Sequence, residues 1–277
     1  MTPKWVSRII SCIVAVIVFF VTLFPVYWLI LTSFKDSTEI FKMPPTFIPR
    51  LFTLAHYAKI FSQYNVGRYF LNSVFITAVS TAAILLIASM AAYSISRFEF
   101  KGKRLFYVGI LITQMLPIVT LMIPLYSLWS NAKLLDNYFP IIVTYIGFYT
   151  SVGIWLLTAY IEGIPKSIDE SAAIDGCPSF LILFKIILPL SKPGLMAVGI
   201  TIILMVWQEL FVSLTFITND SLRTLPSAIM GFIGSPNGVD WGSLTAMGVM
   251  SFVPVFIVYL FLQKYLVKGM TAGSVKE

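Results

Sequence analysis

The amino-acid sequence predicts an all-α integral membrane protein, with six transmembrane helices in one membrane domain over residues 1–277 and both termini cytoplasmic. Three observations predict this fold class. Only 11% of the 277 residues are charged and 58% are hydrophobic, whereas a soluble domain carries about a quarter charged residues. The mean hydropathy is +0.90. Six apolar stretches also reach the roughly 20 residues that a helix needs to cross a bilayer.

The six predicted spans are separated by polar connections. They comprise residues 9–31, 70–95, 105–129, 138–161, 193–217 and 241–263. The apolar run of the first span exceeds the roughly 7–15 residues of a signal-peptide core, so we expect it to be retained. Pro25, Pro117 and Pro254 lie inside spans and predict kinks, which membrane helices tolerate because neighbouring groups satisfy the freed carbonyls.

The distribution of basic residues predicts the orientation. Six spans place both termini on one side, together with the 96–104 turn and the 161–192 loop. This side holds twelve of the nineteen Lys and Arg residues, and cytoplasmic connections are generally enriched in them. The first external loop is an exception with five basic residues. Arg97, Lys101, Lys103 and Arg104 form the strongest cluster, which we interpret as a solvated, lipid-facing basic turn.

Several kinds of chemistry are absent from the sequence. The net charge of +7 is spread thinly between apolar runs and does not indicate a nucleic-acid partner. There is no phosphate-binding G-x-x-x-x-G-K-[ST] motif. The single histidine, His56, cannot build a catalytic triad or a metal site and is interpreted as structural. Cys12 and Cys177 are not expected to form a disulfide. We therefore expect neither an enzyme nor a bound metal or cofactor.

The external connections carry weaker signals. Pro44, Pro45 and Pro49 predict an extended segment, and the helical spacing after Thr53, a potential cap, predicts a short surface helix. That helix could be a packed lid or a partner contact. The 218–240 connection has polar ends and an apolar middle, as expected for a re-entrant or partner-facing segment.

Three polar residues in or beside the spans are candidates for the substrate pathway. Glu209 is the one formal charge inside a predicted span, and a charge at the bilayer centre costs roughly 2.5–3.5 kcal/mol on insertion scales. It should therefore face the bundle interior or a water-filled path. Hydrogen bonding to a substrate and hydrogen bonding to a neighbouring helix both explain it. Gln208 and Gln114 are candidates for the same reasons of polarity and depth.

The 161–192 loop has pronounced helix signals. Pro165 ends the preceding helix, and Ser167 with Glu170 predicts a capping box. Asp175 and Gly176 predict the end of this helix, because glycine adopts the left-handed terminal turn without steric cost. A second helix is predicted from Pro178 to Pro189, so that two short helices lie outside the membrane. They could contact a partner or merely seal the bundle.

The same loop resembles that of a known family. Glu170-Ser171-Ala172, three residues, Gly176, nine residues and Ile186-Ile187-Leu188-Pro189 resemble the E-A-A-x3-G-x9-I-x-L-P loop of ABC importer permeases, with Ser171 in place of the first alanine. The likeness extends over nearly the whole chain to the maltose-type second permease of the carbohydrate-uptake branch. It is carried by residues 33–35, 44–49, 97–104, 154–157, 207–211 (Gln208 replacing asparagine) and the C-terminal 268–276.

The resemblance implies a permease subunit that imports a sugar or oligosaccharide across a bacterial or archaeal cytoplasmic membrane. An extracytoplasmic sugar-binding protein would deliver the substrate, a second permease would complete a heterodimer within membrane lipid, and an ATPase subunit dimer would use ATP and Mg²⁺. The implied coupling residues are Ser167, Glu170, Ser171, Ala172, Ala173, Asp175, Gly176, Phe180 and Pro189. The alternatives are an importer for a polyol or sugar phosphate, or an ion-gradient-driven transporter.

Overall fold

The computed structural model of the protein describes residues 4–233 and 238–272, and helices make up nearly all of their regular structure. The α-helices are α1 Lys4–Ser33, α2 Ser37–Ile40, α3 Ala55–Gln63, α4 Val66–Arg97, α5 Lys103–Thr113, α6 Met122–Asn131, α7 Tyr138–Glu162, α8 Lys166–Ile174, α9 Ser179–Ile182, α10 Leu188–Leu190, α11 Lys192–Trp207, α12 Phe211–Phe216, α13 Leu225–Ile233 and α14 Trp241–Ala272. Short 3₁₀ segments cover Ile118–Leu121 and Asp220–Leu222, and a π-helical turn covers Leu183–Ile187.

Four helices in the described ranges are long and apolar enough to cross a membrane: Ser11–Ser33, Val66–Arg97, Tyr138–Glu162 and Trp241–Lys264. They correspond to the predicted first, second, fourth and sixth spans. Two pairs of shorter helices also qualify if each bent pair is taken as one span. The number of spans is therefore four continuous helices, or six with the bent pairs. The predicted C-terminal likeness lies partly outside the described residues, at 273–276.

The predicted third span is broken. Lys103–Thr113 and Ile118–Asn131 meet at a bend of 90°. Pro117 lacks a backbone N–H, and a proline disfavours helical geometry in the residue before it. Pro117 itself is extended, with φ −63° and ψ 127°, and a new helical segment starts after it.

The predicted fifth span has different limits from those expected at 193–217. Helix α11 ends at Trp207, and α12 begins only at Phe211. The apolar bent pair at this place joins Ser179–Leu190 to Lys192–Trp207, with a bend of 84°. The second helix of the 161–192 loop is thus apolar enough to form half of a span.

The described residues divide into two compact units. One contains the residues up to Gly67 and Ala228–Val253. In it, Lys35 is almost fully buried, its Nζ donates to the Thr46 carbonyl at 2.6 Å, and it lies 4.5 Å from the centre of the Trp28 ring. The buried His56 ring lies 2.8 Å from the Lys35 carbonyl oxygen, which agrees with a structural role. Thr53, the predicted cap, accepts the Ala55 N–H with its hydroxyl.

The other unit contains Arg68–Ser227 and the residues from Pro254 onward. Its hydrophobic core is built mainly from α4, α7 and α11, and includes Ile84, Leu157 and Ile202. Small residues allow close approach, as is common between membrane helices. A side chain added at Gly153 of α7 would place its Cβ 2.9 Å from that of Ala88 in α4.

Candidate functional site

The first helix of the 161–192 loop begins earlier than predicted. Helix α8 starts at Lys166 with Pro165 at the N-cap and without a side-chain capping bond. The predicted capping box of Ser167 and Glu170 is therefore wrong. Pro165, at φ −55° and ψ 131°, leads directly into the helix and leaves Ser167 inside it, where its carbonyl accepts the Ser171 hydroxyl at 2.8 Å.

The end of α8 agrees with the prediction. Asp175 is the C-cap, and Gly176 has φ +79° in the left-handed region. The Gly176 and Cys177 N–H groups donate to the carbonyls of Ala173 and Ala172, each at 3.0 Å. This turn positions the exposed end of α8 next to the start of α9.

The second helix differs from the prediction in two respects. It does not stop at Pro189 but runs on through Leu190, and its middle is the π-helical turn. Nor is it a free helix outside the bundle, because Ile182, Leu183 and Ile187 are buried in the hydrophobic core. This segment is anchored in the bundle by its apolar face.

The loop nevertheless presents an apolar surface to the outside. Ile174 is 86% exposed and Phe180 is 61% exposed, on either side of the Gly176 turn. The rings of Phe180 and Phe184 lie 4.6 Å apart, which fixes Phe180 in place. Sequence reasoning identified Phe180 but missed Ile174, whose position between Ala173 and Asp175 gave no distinct motif signal.

The other predicted coupling residues divide by exposure. Ala172 is buried against the bundle, so its small size allows α8 to pack on this chain. The exposed ones are Ser167, Glu170, Ser171, Ala173, Asp175, Gly176 and Pro189. Together with Ile174 and Phe180 they form the exposed surface of the 161–192 loop, termed the docking surface.

A buried ion pair holds α8 to the end of α4. Arg97 Nε lies 3.0 Å from Asp169 Oδ2, and the two side chains are only 6% and 13% exposed. The contact is an ion pair without the alignment of a strong hydrogen bond. An Arg97 Nη atom also donates to the Ile164 carbonyl at 2.9 Å. The interpretation of Arg97 as part of a solvated basic turn is therefore wrong, because its side chain is buried against residues 67 and 72 positions away in sequence.

The three candidate pathway residues lie at two helix breaks, Gln114 at the bend between α5 and α6, and Gln208 with Glu209 in the gap between α11 and α12. Gln114 is the exposed C-cap of α5, and Gln208 is the exposed C-cap of α11. Glu209 follows Gln208 directly and is buried. The structure thus brings Gln208 and Glu209 together at one break, and Gln114 belongs to the other.

The Glu209 carboxylate is surrounded by protein donors. It accepts the Tyr145 hydroxyl at 2.8 Å and the N–H groups of Phe211 and Val212 at 2.8 to 3.2 Å. The carboxylate therefore starts the α12 helix and ties it to α7. These bonds agree with the interpretation of Glu209 as hydrogen-bonded to a neighbouring helix. Contact between Glu209 and a substrate stays a prediction.

A cavity of about 420 Å³ lies at the break between α5 and α6. Its walls are mostly apolar and include Leu116, Trp129, Thr144 and Phe148. In a membrane, non-helical backbone is tolerated where it is buried in protein or lines a cavity. Among the described residues, no group of three or more His, Cys, Asp or Glu side chains is arranged to hold a metal ion.

Four membrane-length helices and two bent apolar helix pairs in the described residues define the class of integral membrane proteins. A family model for the "Binding-protein-dependent transport system inner membrane component" matches residues 84–272, and the chain belongs to this family. It is an inner-membrane transport subunit rather than an enzyme.

Individual relatives agree with this assignment. The probable ABC transporter permease protein YurM of Bacillus subtilis is 36% identical over 257 residues, covering 91% of this chain and 83% of its own length. The trehalose/maltose transport system permease protein MalG of Thermococcus litoralis is 32% identical over 278 residues, covering 100% of this chain and 99% of its own. A solved chain of a bacterial ABC transporter involved in alginate import has the same fold, with a TM-score of 0.83, 22% identity and coverage of 96% and 98%.

Proposed function

We propose that this chain is one of two permease subunits in an ABC importer, and that it translocates a sugar or oligosaccharide delivered by an extracytoplasmic binding protein. A partner ATPase dimer uses ATP and Mg²⁺. The observation that carries the ATPase contact is the docking surface of the 161–192 loop. Family membership leaves the ion-gradient-driven alternative without support.

The docking surface has the features of a protein contact. Isoleucine and phenylalanine side chains as exposed as Ile174 and Phe180 are expected where a partner removes them from water, because the buried centre of an interface is apolar and enriched in aromatic residues. Gly176 has open space where a side chain would be, which lets a partner groove approach the turn closely. The exposed residues are therefore assigned to one ATPase subunit.

The orientation follows from charge. The 161–192 loop, the 96–104 turn and both termini carry most of the Lys and Arg residues, which supports a cytoplasmic location for them, on the side of the ATPase. The 34–68 and 218–233 connections would then face outward, where a binding protein docks. ATP-driven closure of the ATPase dimer would move the loop as a lever and switch the spans between inward- and outward-facing forms.

The substrate class rests on the relatives and on the polar breaks. The relative from Thermococcus litoralis is described as a trehalose/maltose permease, and the transporter with the same fold as involved in alginate import. Both substrates are carbohydrates. The exposed side chains of Gln114 and Gln208, at the ends of α5 and α11, supply neutral hydrogen-bonding groups, which suits a polyhydroxylated solute. A polyol or a sugar phosphate is the second candidate.

The ATPase contact is tested by co-purification through a tag on this chain. Ile174→Glu places a charge on the docking surface and is expected to lose the ATPase. The matched control is Ile48→Glu, because Ile48 is equally apolar, 78% exposed and in the outward-facing connection. Retention of the ATPase by the Ile174→Glu variant would overturn the assignment of the docking surface.

The substrate class is tested separately on the binding protein of the same system. Its thermal unfolding is measured with maltose, trehalose, longer oligosaccharides, polyols and sugar phosphates. Stabilisation by an unmodified saccharide is the expected result. Stabilisation by a polyol or a sugar phosphate alone would replace the carbohydrate assignment with the second candidate.

A further inference from the structure

Helix α4 holds a different loop at each of its ends. At its C-terminal end, Arg97 contacts Asp169 of α8 and the Ile164 carbonyl, so that both the first helix of the 161–192 loop and the residue before Pro165 are fixed to α4. Both charged side chains are largely shielded from water. Breaking such a pair by removing one partner leaves an uncompensated buried charge, which is strongly unfavourable. The pair therefore ties α8 to the end of α4.

The N-terminal end of α4 makes an equivalent set of contacts. The Tyr69 hydroxyl donates to the Asp220 carboxylate at 2.5 Å. The Asn72 amide donates to the carbonyls of Ser221 and Arg223 at 3.0 and 2.9 Å. The Ser73 hydroxyl oxygen accepts the Leu225 N–H at 2.8 Å. These bonds fix the backbone of the 220–225 segment to α4.

The helix between these two ends is continuous. Helix α4 spans Val66–Arg97, and within these 32 residues no proline interrupts it. The distance from Tyr69 to Arg97 along the axis is about 42 Å at 1.5 Å per residue. The span formed by α5 with α6 is bent by 90°, and the one formed by Ser179–Leu190 with α11 is bent by 84°, so a displacement at one of their ends can be absorbed at the bend. An unbroken helix transmits it.

We propose that Arg97 is a positioning residue that transmits movement of the 161–192 loop to α4, and that α4 carries this movement to the 220–225 segment on the outer side. The proposal rests on the proposed function, because it takes the loop as the part moved by the ATPase. The outer segment would then change position when ATP closes the ATPase dimer, without any contact between the two sites.

The first test uses the whole complex in proteoliposomes, with the ratio of substrate transported to ATP hydrolysed as the readout. Asp169→Asn keeps the size of the side chain and removes its charge. We expect the ATPase to remain bound and the ratio to fall by about 2- to 30-fold, the range typical of coupling mutations. Asp169→Glu should restore the ratio. Glu162→Gln, an exposed carboxylate at the end of α7, is the matched control and should not change it.

The second test uses the opposite end of the helix, so that the result does not depend on folding of the loop variant. Tyr69→Phe removes the hydroxyl that holds Asp220, and we expect a similar fall in the ratio. In the double variant with Asp169→Asn, the ratio should equal the lower of the two single-variant ratios. Both changes interrupt the same link, so the second change adds no further loss. Two independent effects would instead multiply.

Some outcomes separate this proposal from the proposed function. If Ile174→Glu loses the ATPase while Asp169→Asn and Tyr69→Phe transport normally, the docking surface stands and the transmission through α4 is wrong. A double variant whose loss in the transport-to-hydrolysis ratio equals the product of the two single losses would also overturn the proposed transmission through α4. If Ile174→Glu keeps the ATPase, the docking assignment fails first, and the proposal that depends on it fails with it.

Discussion

The hydroxyl of Tyr145 in α7 donates a 2.8 Å hydrogen bond to the carboxylate of Glu209, at the point where α11 ends. Both side chains are buried. Because the same carboxylate accepts the N–H groups of Phe211 and Val212, one side chain satisfies three donors at an interruption of the helix.

Replacing the two partners is expected to have unequal effects on stability. Tyr145→Phe removes one bond and leaves the carboxylate with its backbone donors, at a cost of about 1.5–3 kcal/mol for a bond to a charged group. Glu209→Leu leaves three buried donors without an acceptor and should cost more. Thermal unfolding of the purified variants in detergent measures the difference. An equal or smaller loss in Glu209→Leu would contradict the structural role of the carboxylate.

Gly176 is expected to tolerate asparagine better than valine. Its φ of +79° disfavours residues with a side chain by roughly 1–2 kcal/mol, and asparagine is the residue that enters this region most readily. No atom lies within 4 Å of an added Cβ, so the cost comes from the backbone alone. The unfolding temperature of the purified protein should therefore fall less in Gly176→Asn than in Gly176→Val. Gly176→Trp, which adds bulk to the docking surface, should uncouple uptake from ATP hydrolysis.

Two glycines in α14 should respond in opposite ways to alanine. A Cβ at Gly242 would lie 2.0 Å from the Cε1 atom of His56, whereas one at Gly248 would lie 3.2 Å from the flexible end of Leu29. Overpacking typically costs about 1–3 kcal/mol, while alanine in a helix interior is favoured over glycine by about 1 kcal/mol. Gly242→Ala should lower the unfolding temperature, and Gly248→Ala, as its control, should leave it unchanged or raise it.

The Lys59–Asp240 ion pair, at 2.8 Å, should depend on pH only in acid. Burial raises the pKa of Asp240, but hydrogen bonds from Lys59 and from the Ser243 N–H outweigh it and lower the pKa from 3.8 to about 2. A lowered pKa means that the stabilisation is complete above about pH 4 and is lost as the pH falls towards 2. The pair is partly exposed, so it contributes at most about 1 kcal/mol.

The check is the difference in unfolding temperature between the wild type and Asp240→Asn. It should be constant between pH 7 and about pH 4 and shrink at lower pH. Lys59→Met should behave in the same way. A difference that changes between pH 5 and 7 would show that another group dominates this connection.

The fold class and the approximate spans were predictable because composition and the length of apolar runs report directly on a membrane environment. The positions where the spans break were less predictable from the sequence. Pro117 marked the first of them, but nothing in the apolar pattern from Lys192 onward signalled that the helix ends at Trp207, since Glu209 interrupts it through hydrogen bonds to Tyr145 and to the following backbone. Such contacts depend on distant residues.

The candidate site shows the same division. The Gly176 turn followed from local chemistry and agreed with the structure. The capping box did not, because Pro165 had already started the helix and its effect outweighed the Ser167 signal. Arg97 looked like one of four similar basic residues, and only its position beside Asp169 distinguishes it from Lys101, Lys103 and Arg104.

The π-helical turn of Leu183–Ile187 also affects how the docking surface is aimed. Each residue of an α-helix advances by about 100° around the axis, and a π turn accommodates an extra residue within the helix. The direction of the Phe180 side chain relative to Pro189 therefore differs from that in an uninterrupted helix. The difference is about the rotation of one residue, roughly 100°. A natural deletion of one residue here would restore a regular helix and rotate the docking surface by the same angle, so the turn sets the angular phase between the loop and its anchor in the bundle.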